Sequence, residues 1–257
     1  MNKFLNLQLG NFFRAILSIR FLICSVVVCL IVIATIIPMF NHEQGAIDLL
    51  DLGLSGSFGN LMLILATIPL IPFTLSFASE HQQRAVLPWV IRAGVNQYAI
   101  GKLLFSLLSA FLTTALGLVL VVIVLLIWLP VYQYGHGAEA YSGYLVNGQW
   151  MRYLLFNISH LSLSSVLFAV IAFWVSTMIP NKFVTLATPV VCYYLLHRLT
   201  ATLTIPVYFQ AMYIFEATYD AGTPWSSFLL KFVTVLVISL PLAYLSVRNI
   251  KRRVSYG

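Results

Sequence analysis

Charge is what this chain of 257 residues has least of. Only 8% of its residues are Asp, Glu, Lys or Arg, against about a quarter in an ordinary soluble domain. So little charge excludes an ordinary globular protein. Cysteine is scarce too: Cys24, Cys29 and Cys192 all fall inside apolar runs, which argues against a disulfide framework or a thiolate metal cluster. The five histidines, His42, His81, His136, His160 and His197, stand scattered with no HExxH or HxxxH spacing, so no zinc motif is present. A GxxxxGK[ST] phosphate loop is also missing; Gly101-Lys102 is followed by Leu103 and preceded by no glycine-rich loop. The chain is therefore expected not to hydrolyse nucleotide itself. Ser55-Gly56-Ser57 lacks the strand–turn–helix setting and the His partner of a nucleophile elbow, and reads as a flexible turn. An intramembrane enzyme would carry several ionisable groups at mid-membrane; only His160 and His197 come close, so no enzyme activity is expected. No internal repeat is visible. The first apolar run is of full membrane length with no small-residue cleavage site after it, so no removable signal is expected.

Apolar residues make up the balance, 61% of the chain, with a mean hydropathy of +0.95. Crossing the hydrocarbon core takes about 20 apolar residues, and six runs meet that length: 21–40, 59–79, 100–129, 153–178, 183–203 and 226–247. The expected fold is an all-α integral membrane protein of one transmembrane domain. Pro69 and Pro72 should kink the second run. The third is long enough to project beyond the bilayer.

The bases fix an orientation. Lys3, Arg14, Arg20, Arg84, Arg92, Lys102, Lys182, Arg248, Lys251, Arg252 and Arg253 fall on one side of these runs, where Glu80 is the only acid. Glu43, Asp48, Asp51, Glu139, Glu216 and Asp220 fall on the other, with Arg152, Arg198 and Lys231 at or near it. The basic side should be cytoplasmic, which puts both termini inside, as six spans require. The net charge of +7 is then a membrane-flanking pattern and no sign of nucleic-acid binding. The pattern suits a bacterial plasma membrane.

Between the runs, residues 1–20 carry Phe4, Leu5, Leu9, Phe12, Phe13, Ile16 and Leu17 near helical spacing, which predicts an amphipathic helix in the cytoplasmic interface. On the outer side, 41–58 reads as an acidic, Gly/Ser-rich loop. Residues 130–152 read as an interfacial loop with Tyr132, Tyr134, Tyr141, Tyr144 and Trp150. Residues 204–225 are too hydrophobic for a plain aqueous loop, and suggest short re-entrant-like elements dipping into the outer leaflet. In the fifth run, Cys192, Tyr193, Tyr194, His197 and Arg198 form a polar band. Arg198 either snorkels outward or pairs with Glu216 as a latch on the outer end of a path; His197, Arg198 and Glu216 are thus the candidate outer gate. His160, among Ser159, Ser162, Ser164 and Ser165, reads as a helix–helix hydrogen-bonding residue.

The segment 80–102, EHQQRAVLPWVIRAGVNQYAIGK, is distinctive. A run ends in Glu80, and a short amphipathic stretch follows in which Val86, Leu87, Trp89, Val90 and Ile91 can face the bundle while Arg84 and Arg92 face water. Tyr98 and Lys102 then open the next run. Such a segment resembles the loop between the second and third spans of ABC-2 type transporter permeases. There an acidic residue follows the second span, a coupling helix rests on an ATPase subunit, and a basic residue begins the third span. The resemblance extends over the chain, to the amphipathic N-terminal helix, the six spans and the hydrophobic outer segment before the last. Where the drug- and polysaccharide-exporting branch usually has Gly-Thr, four and five residues after the acid, this chain has Arg84 and Ala85. It looks more like permeases of bacterial peptide, bacteriocin-immunity and uncharacterised export systems.

The resemblance implies the membrane subunit of an ATP-driven exporter, with no cofactor of its own; ATP and Mg would sit on a separate ATP-binding subunit. Its further partners would be a second permease subunit, in a homo- or heterodimer lined by the first and fifth spans, and membrane lipids. Cargo should be hydrophobic or amphipathic, such as a peptide or drug-like compound. Glu80, Arg84, Arg92, Tyr98 and Lys102 are the candidate coupling residues. Glu80 either caps the coupling helix, where negative charge is favoured, or contacts the ATPase; Arg92 and Lys102 either anchor at the interface or contact the partner. The rival readings are a stand-alone secondary transporter, which predicts midplane carboxylates, and a non-transporting scaffold or immunity protein.

Overall fold

Helices account for nearly all the secondary structure of the computed structural model, which describes residues 2–39, 45–55, 60–131 and 140–256; no strand occurs among the described residues. Four stretches are long and apolar enough to cross a membrane: Gln8–Ile36, Val95–Trp128, Trp150–Met178 and Pro224–Val254. The protein is therefore an all-helical chain compatible with multi-pass membrane insertion.

The chain opens with α1 (Asn2–Ala15) and turns at Ser18, whose hydroxyl accepts from the Phe21 amide at 3.2 Å and caps α2 (Ile19–Ile36). One face of α2 buries Phe21, Ser25, Val28, Val32 and Ile36. Its other face, with Leu22, Val26 and Leu30, is equally apolar yet exposed, the pattern of a helix that borders lipid on one side. On α1 the inward residues are Asn11 and Ala15, one turn apart, while Leu9, Phe12 and Phe13 point away from the protein.

The acidic stretch after α2 is not a plain loop. Residues Ala46–Ser55 form α3, with Ile47, Leu50 and Leu54 buried at helical spacing. Residues 41–44 and 56–58 of the expected loop lie outside the described residues, as do Tyr132, Tyr134 and Glu139.

The second apolar run departs furthest from expectation. In place of one kinked helix it is a relay of short pieces: α4 (Asn60–Met62), a π turn at Leu63–Thr67, a 3₁₀ turn at Ile68–Leu70, and α5 (Ser76–Gln82). Pro69 and Pro72 each lack an amide hydrogen and crowd the preceding turn, so two of them three residues apart interrupt the helix outright. The irregular backbone is well covered, since Ile64, Leu65, Ala66, Leu70 and Phe73 are all buried. Broken backbone is tolerated at membrane depth only under such cover.

Next come α6 (Val86–Ala93) and α7 (Val95–Trp128), joined at Gly94, whose φ of 81° few other residues adopt. At 34 residues, α7 is about 51 Å long, longer than the roughly 30 Å hydrocarbon core. After α8 (Ser142–Val146), the 29-residue α9 (Trp150–Met178) runs through the centre, flanked by α7, α10 (Lys182–Thr202) and α12 (Pro224–Tyr256). Small and hydroxylated residues let these helices approach. Gly117 of α7 meets Val28 of α2 so closely that an added Cβ would lie 2.5 Å from the valine Cγ1. The hydroxyls of Thr114 and Ser165 join α7 to α9 at 2.7 Å. The fifth run forms α10 over nearly the expected residues, but Pro189 interrupts its bonding and its polar band makes it less apolar than the four stretches above. Between α10 and α12 lie a 3₁₀ turn (Val207–Phe209) and α11 (Ala211–Phe215). These are short elements with Val207, Tyr208 and Phe209 exposed and Phe215 packed on Phe168 at 4.9 Å.

Candidate functional site

At the end of the bundle where α1, α5, α6 and the start of α7 meet, Glu80 sits inside α5 and faces Lys102, one carboxylate oxygen 2.6 Å from Nζ. The other oxygen accepts from the Tyr98 hydroxyl at 2.7 Å. Tyr98 and Lys102 lie one helical turn apart on α7, so both reach the same carboxylate. Lys102 is only 2% exposed; its ammonium also approaches Ser76 Oγ at 3.4 Å and lies 4.8 Å from the Phe73 ring centre. Buried charge this deep is stable only when paired and hydrogen-bonded, and the cluster meets that demand. Arg14 of α1 approaches Glu80 at 3.8 Å and stacks over Trp89 of α6 at 5.5 Å. A cavity of about 80 Å³ opens among Asn11, Arg14, Glu80, Trp89, Tyr98 and Lys102. The cluster therefore ties α1, α5, α6 and α7 together through one carboxylate.

Two sequence readings change here. Glu80 neither caps α6, whose N-cap is Ala85 without a side-chain bond, nor lies free for a partner; its negative charge is taken up by Lys102 and Tyr98. Lys102 is no interface anchor, because it turns inward to that carboxylate. The face of α6 also differs from expectation. Val86, Trp89 and Val90 pack inward, whereas Leu87 and Ile91 are 53% and 76% exposed, because residues 87 and 91 fall on a separate flank of the helix. Arg84 is exposed and holds φ at 56°, the left-handed region. The Arg92 side chain lies outside the described residues.

The same end is closed by contacts that no motif announced. Arg253 of α12 donates from Nε to the Thr177 carbonyl at 2.7 Å and from Nη2 to the Met178 carbonyl, satisfying the last turn of α9. Asn249 adds a bond to the Thr177 hydroxyl at 3.3 Å. The Nη1 group of Arg253 lies 3.5 Å from His81 Nε2, and burial together with that guanidinium holds His81 below its ordinary pKa. Only a C-terminal run of bases was visible in the sequence; which one reaches back to α9 depends on the packing.

At the opposite end, Asp51 of α3 accepts from the Tyr153 hydroxyl at 2.5 Å and from Asn157 Nδ2 at 3.0 Å, both on α9. His160, one turn further on, is held from both sides: Nδ1 lies 2.9 Å from the Tyr141 hydroxyl and Nε2 3.3 Å from the Ala217 carbonyl. A carbonyl can only accept, so Nε2 carries the proton and Tyr141 donates to Nδ1. Burial raises the Tyr141 hydroxyl above its ordinary pKa, and Tyr144 adds to the shift. His160 thus joins helix to loop by hydrogen bonds. The proposed gate residues are not assembled into a latch. His197 stacks on Tyr193 with ring centres 5.7 Å apart, Arg198 is exposed, and no ion pair joins Arg198 to Glu216 among the described residues. Glu216 interacts electrostatically with Tyr193 instead. An arginine at this depth can extend along apolar surface toward water, and no ion pair draws Arg198 inward among the described residues.

Long apolar helices around a buried ionic cluster, with an amphipathic helix beside it, define the class as an all-helical protein compatible with multi-pass membrane insertion. Comparison with protein-family models, with curated proteins and with solved structures finds no match to this chain.

Proposed function

We propose that this chain is the membrane-spanning permease subunit of an ATP-driven ABC-2 type exporter, with α6 as the helix that receives the push of a separate ATP-binding subunit. The observation that carries this reading is the mounting of α6. Its inner face packs on α7 through Val86, Trp89 and Val90, Trp89 lies under Arg14 of the Glu80 cluster, and its outer flank presents Leu87 and Ile91. An amphipathic helix held by buried charge and showing apolar side chains outward is suited to pass a rigid displacement into α7. The left-handed backbone at Arg84 falls at the place where the drug- and polysaccharide-exporting branch of that family usually carries glycine.

In this reading α1 lies in the cytoplasmic interface, and the interrupted 60–82 segment and α10 complete six spans. Both termini are then cytoplasmic in a bacterial plasma membrane, and two permease subunits meet along α2 and α10. ATP and Mg act on the partner. Cargo is hydrophobic or amphipathic.

The test is purification of the full chain from its native cells in mild detergent, assayed for vanadate-sensitive ATPase. A co-purifying ATPase that is lost from Leu87→Ser and Ile91→Ser, with thermal stability unchanged, is the expected result. A stable preparation with no ATPase partner would overturn the proposal and favour a scaffold or secondary transporter.

A further inference from the structure

Lys231 of α12 is 4% exposed and makes one hydrogen bond among the described residues, donating to the Ile214 carbonyl at 2.6 Å. An ammonium has three donors, so two remain. No carboxylate lies within ion-pair distance of it among the described residues, where the only ion pairs are those of Glu80. Among the described acids at this end, Asp48 accepts from the Gly45 amide, Asp51 from Tyr153 and Asn157, and Asp220 from the Gly222 amide at 2.8 Å, while Glu216 interacts electrostatically with Tyr193. Removing an ammonium from water without a counter-charge costs several kcal/mol or more, and a lysine whose sole task was to hold one carbonyl would be a poor choice for it.

A pocket borders this lysine. Its walls are Tyr208, Tyr213 and Tyr219 from the segment before α12, and Ser227, Leu230 and Thr234 from α12 itself, with His160 also on the wall. The tyrosines brace one another, Tyr208 and Tyr213 each meeting Tyr219 edge-on with ring centres 5.7 and 6.0 Å apart. His160 contributes no second charge, since Nε2–H is spent on Ala217 and Nδ1 accepts from Tyr141. The pocket therefore offers one positive charge, spare donors and aromatic walls. Its volume of about 30 Å³ suits a small planar group. A single charge matches a carboxylate better than a phosphate, which is tetrahedral and carries close to two charges at neutral pH.

We propose that this pocket binds the carboxylate head of an organic acid, with Lys231 as its counter-ion and the apolar body of the acid lying along Tyr208 and Tyr213. The site stands on its own geometry, whether or not an ATPase drives the protein. Such a head would bond Lys231 as a charge-assisted pair, the strong kind in a desolvated setting.

The experiment is NMR binding of carboxyl-labelled decanoate to the full chain in nanodiscs, with decanol as the control for partition into lipid. Decanoate should bind the wild type about tenfold or more tighter than decanol. Lys231→Met should abolish that preference, and so should Thr234→Leu, which fills the pocket while leaving the bond from Lys231 to Ile214 intact. The second variant keeps the test open if the first fails to fold. Acetate run alongside separates the sources: binding equal to that of decanoate assigns the site to small carboxylates, and weaker binding assigns it to amphiphilic acids. Equal binding of decanoate and decanol to the wild type would overturn the proposal and leave Lys231 as a strut for the segment before α12. So would a decanoate preference that survives Thr234→Leu.

Discussion

Glu80 and Lys102 form a pair whose two halves are not equivalent. With Lys102 removed, Glu80 keeps the Tyr98 hydroxyl and has Arg14 at 3.8 Å. With the Glu80 charge removed, Lys102 keeps no anionic partner among the described residues, only the Ser76 hydroxyl and the faces of Phe73 and Tyr98, and at 2% exposure it has little access to water. Stranding a buried charge costs about 3–5 kcal/mol. Glu80→Gln should therefore lower unfolding stability by an amount in that range, and by more than Lys102→Met. The double variant should fall short of the sum of the two. Denaturant unfolding in a fixed detergent measures all three, and equal single losses would show that Arg14 gives Glu80 no support. Arg84 offers an opposite case. A non-glycine residue in left-handed backbone costs about 1–2 kcal/mol, partly offset for glycine by its larger loss of chain entropy. Arg84→Gly should stabilise the protein by about 0.5–1 kcal/mol and Arg84→Val should destabilise it, read as opposite shifts of the thermal midpoint.

At the scale of elements, the contact of α7 with α2 depends on Gly117. A Cβ there would lie 2.5 Å from Val28 Cγ1 and 3.0 Å from the Ser25 carbonyl oxygen, so one of the two helices would have to shift. Gly117→Ala should cost about 1–3 kcal/mol, the range for overpacking, and Val28→Ala in the same chain should recover only a small part of it, because the Val28 Cβ itself lies 2.7 Å from the added carbon; thermal unfolding of the single and double variants decides. The sequence made the long apolar helices legible, because α2, α7, α9 and α12 each carry enough apolar residues to need no other argument. It also marked 80–102, through the change from an apolar run to alternating polar residues. It did not disclose how far Pro69 and Pro72 would break the second run, since a single proline kinks and the joint effect depends on the cover that α9 and α7 supply. Nor did it reveal α3. Asp48 and Asp51 drew attention away from Ile47, Leu50 and Leu54, and the value of Asp51 lies in Tyr153 and Asn157, about a hundred residues distant. The Glu80–Lys102 pair was within reach of the sequence only as two charges on one side; burial turned them toward each other.

For the whole molecule, the two ends differ in chemistry, and that difference carries an orientation. Arg14, Lys102 and Arg253 gather at one end with Glu80 and the last turn of α9, while Asp51, Tyr141 and His160 gather at the other. Membrane insertion favours bases on the cytoplasmic side, so the Glu80 end should face the cytoplasm and the Lys231 pocket the exterior. Gln83 and Arg252 are exposed near the first end, and Val146 is exposed near the second. In a chain with Cys24, Cys29 and Cys192 replaced by Ser or Ala, Gln83→Cys and Arg252→Cys should react with a membrane-impermeant maleimide only after the cells are permeabilised. Val146→Cys should react in intact cells. The reverse pattern would invert the molecule, and α6 would then be beyond the reach of any cytosolic ATPase while the carboxylate pocket would open inward. Labelling at Gln83 and Arg252 from different sides would mean an odd number of crossings between them. The interrupted segment before α5 lies upstream of both sites, so that result would implicate α10, the least apolar of the long helices between them.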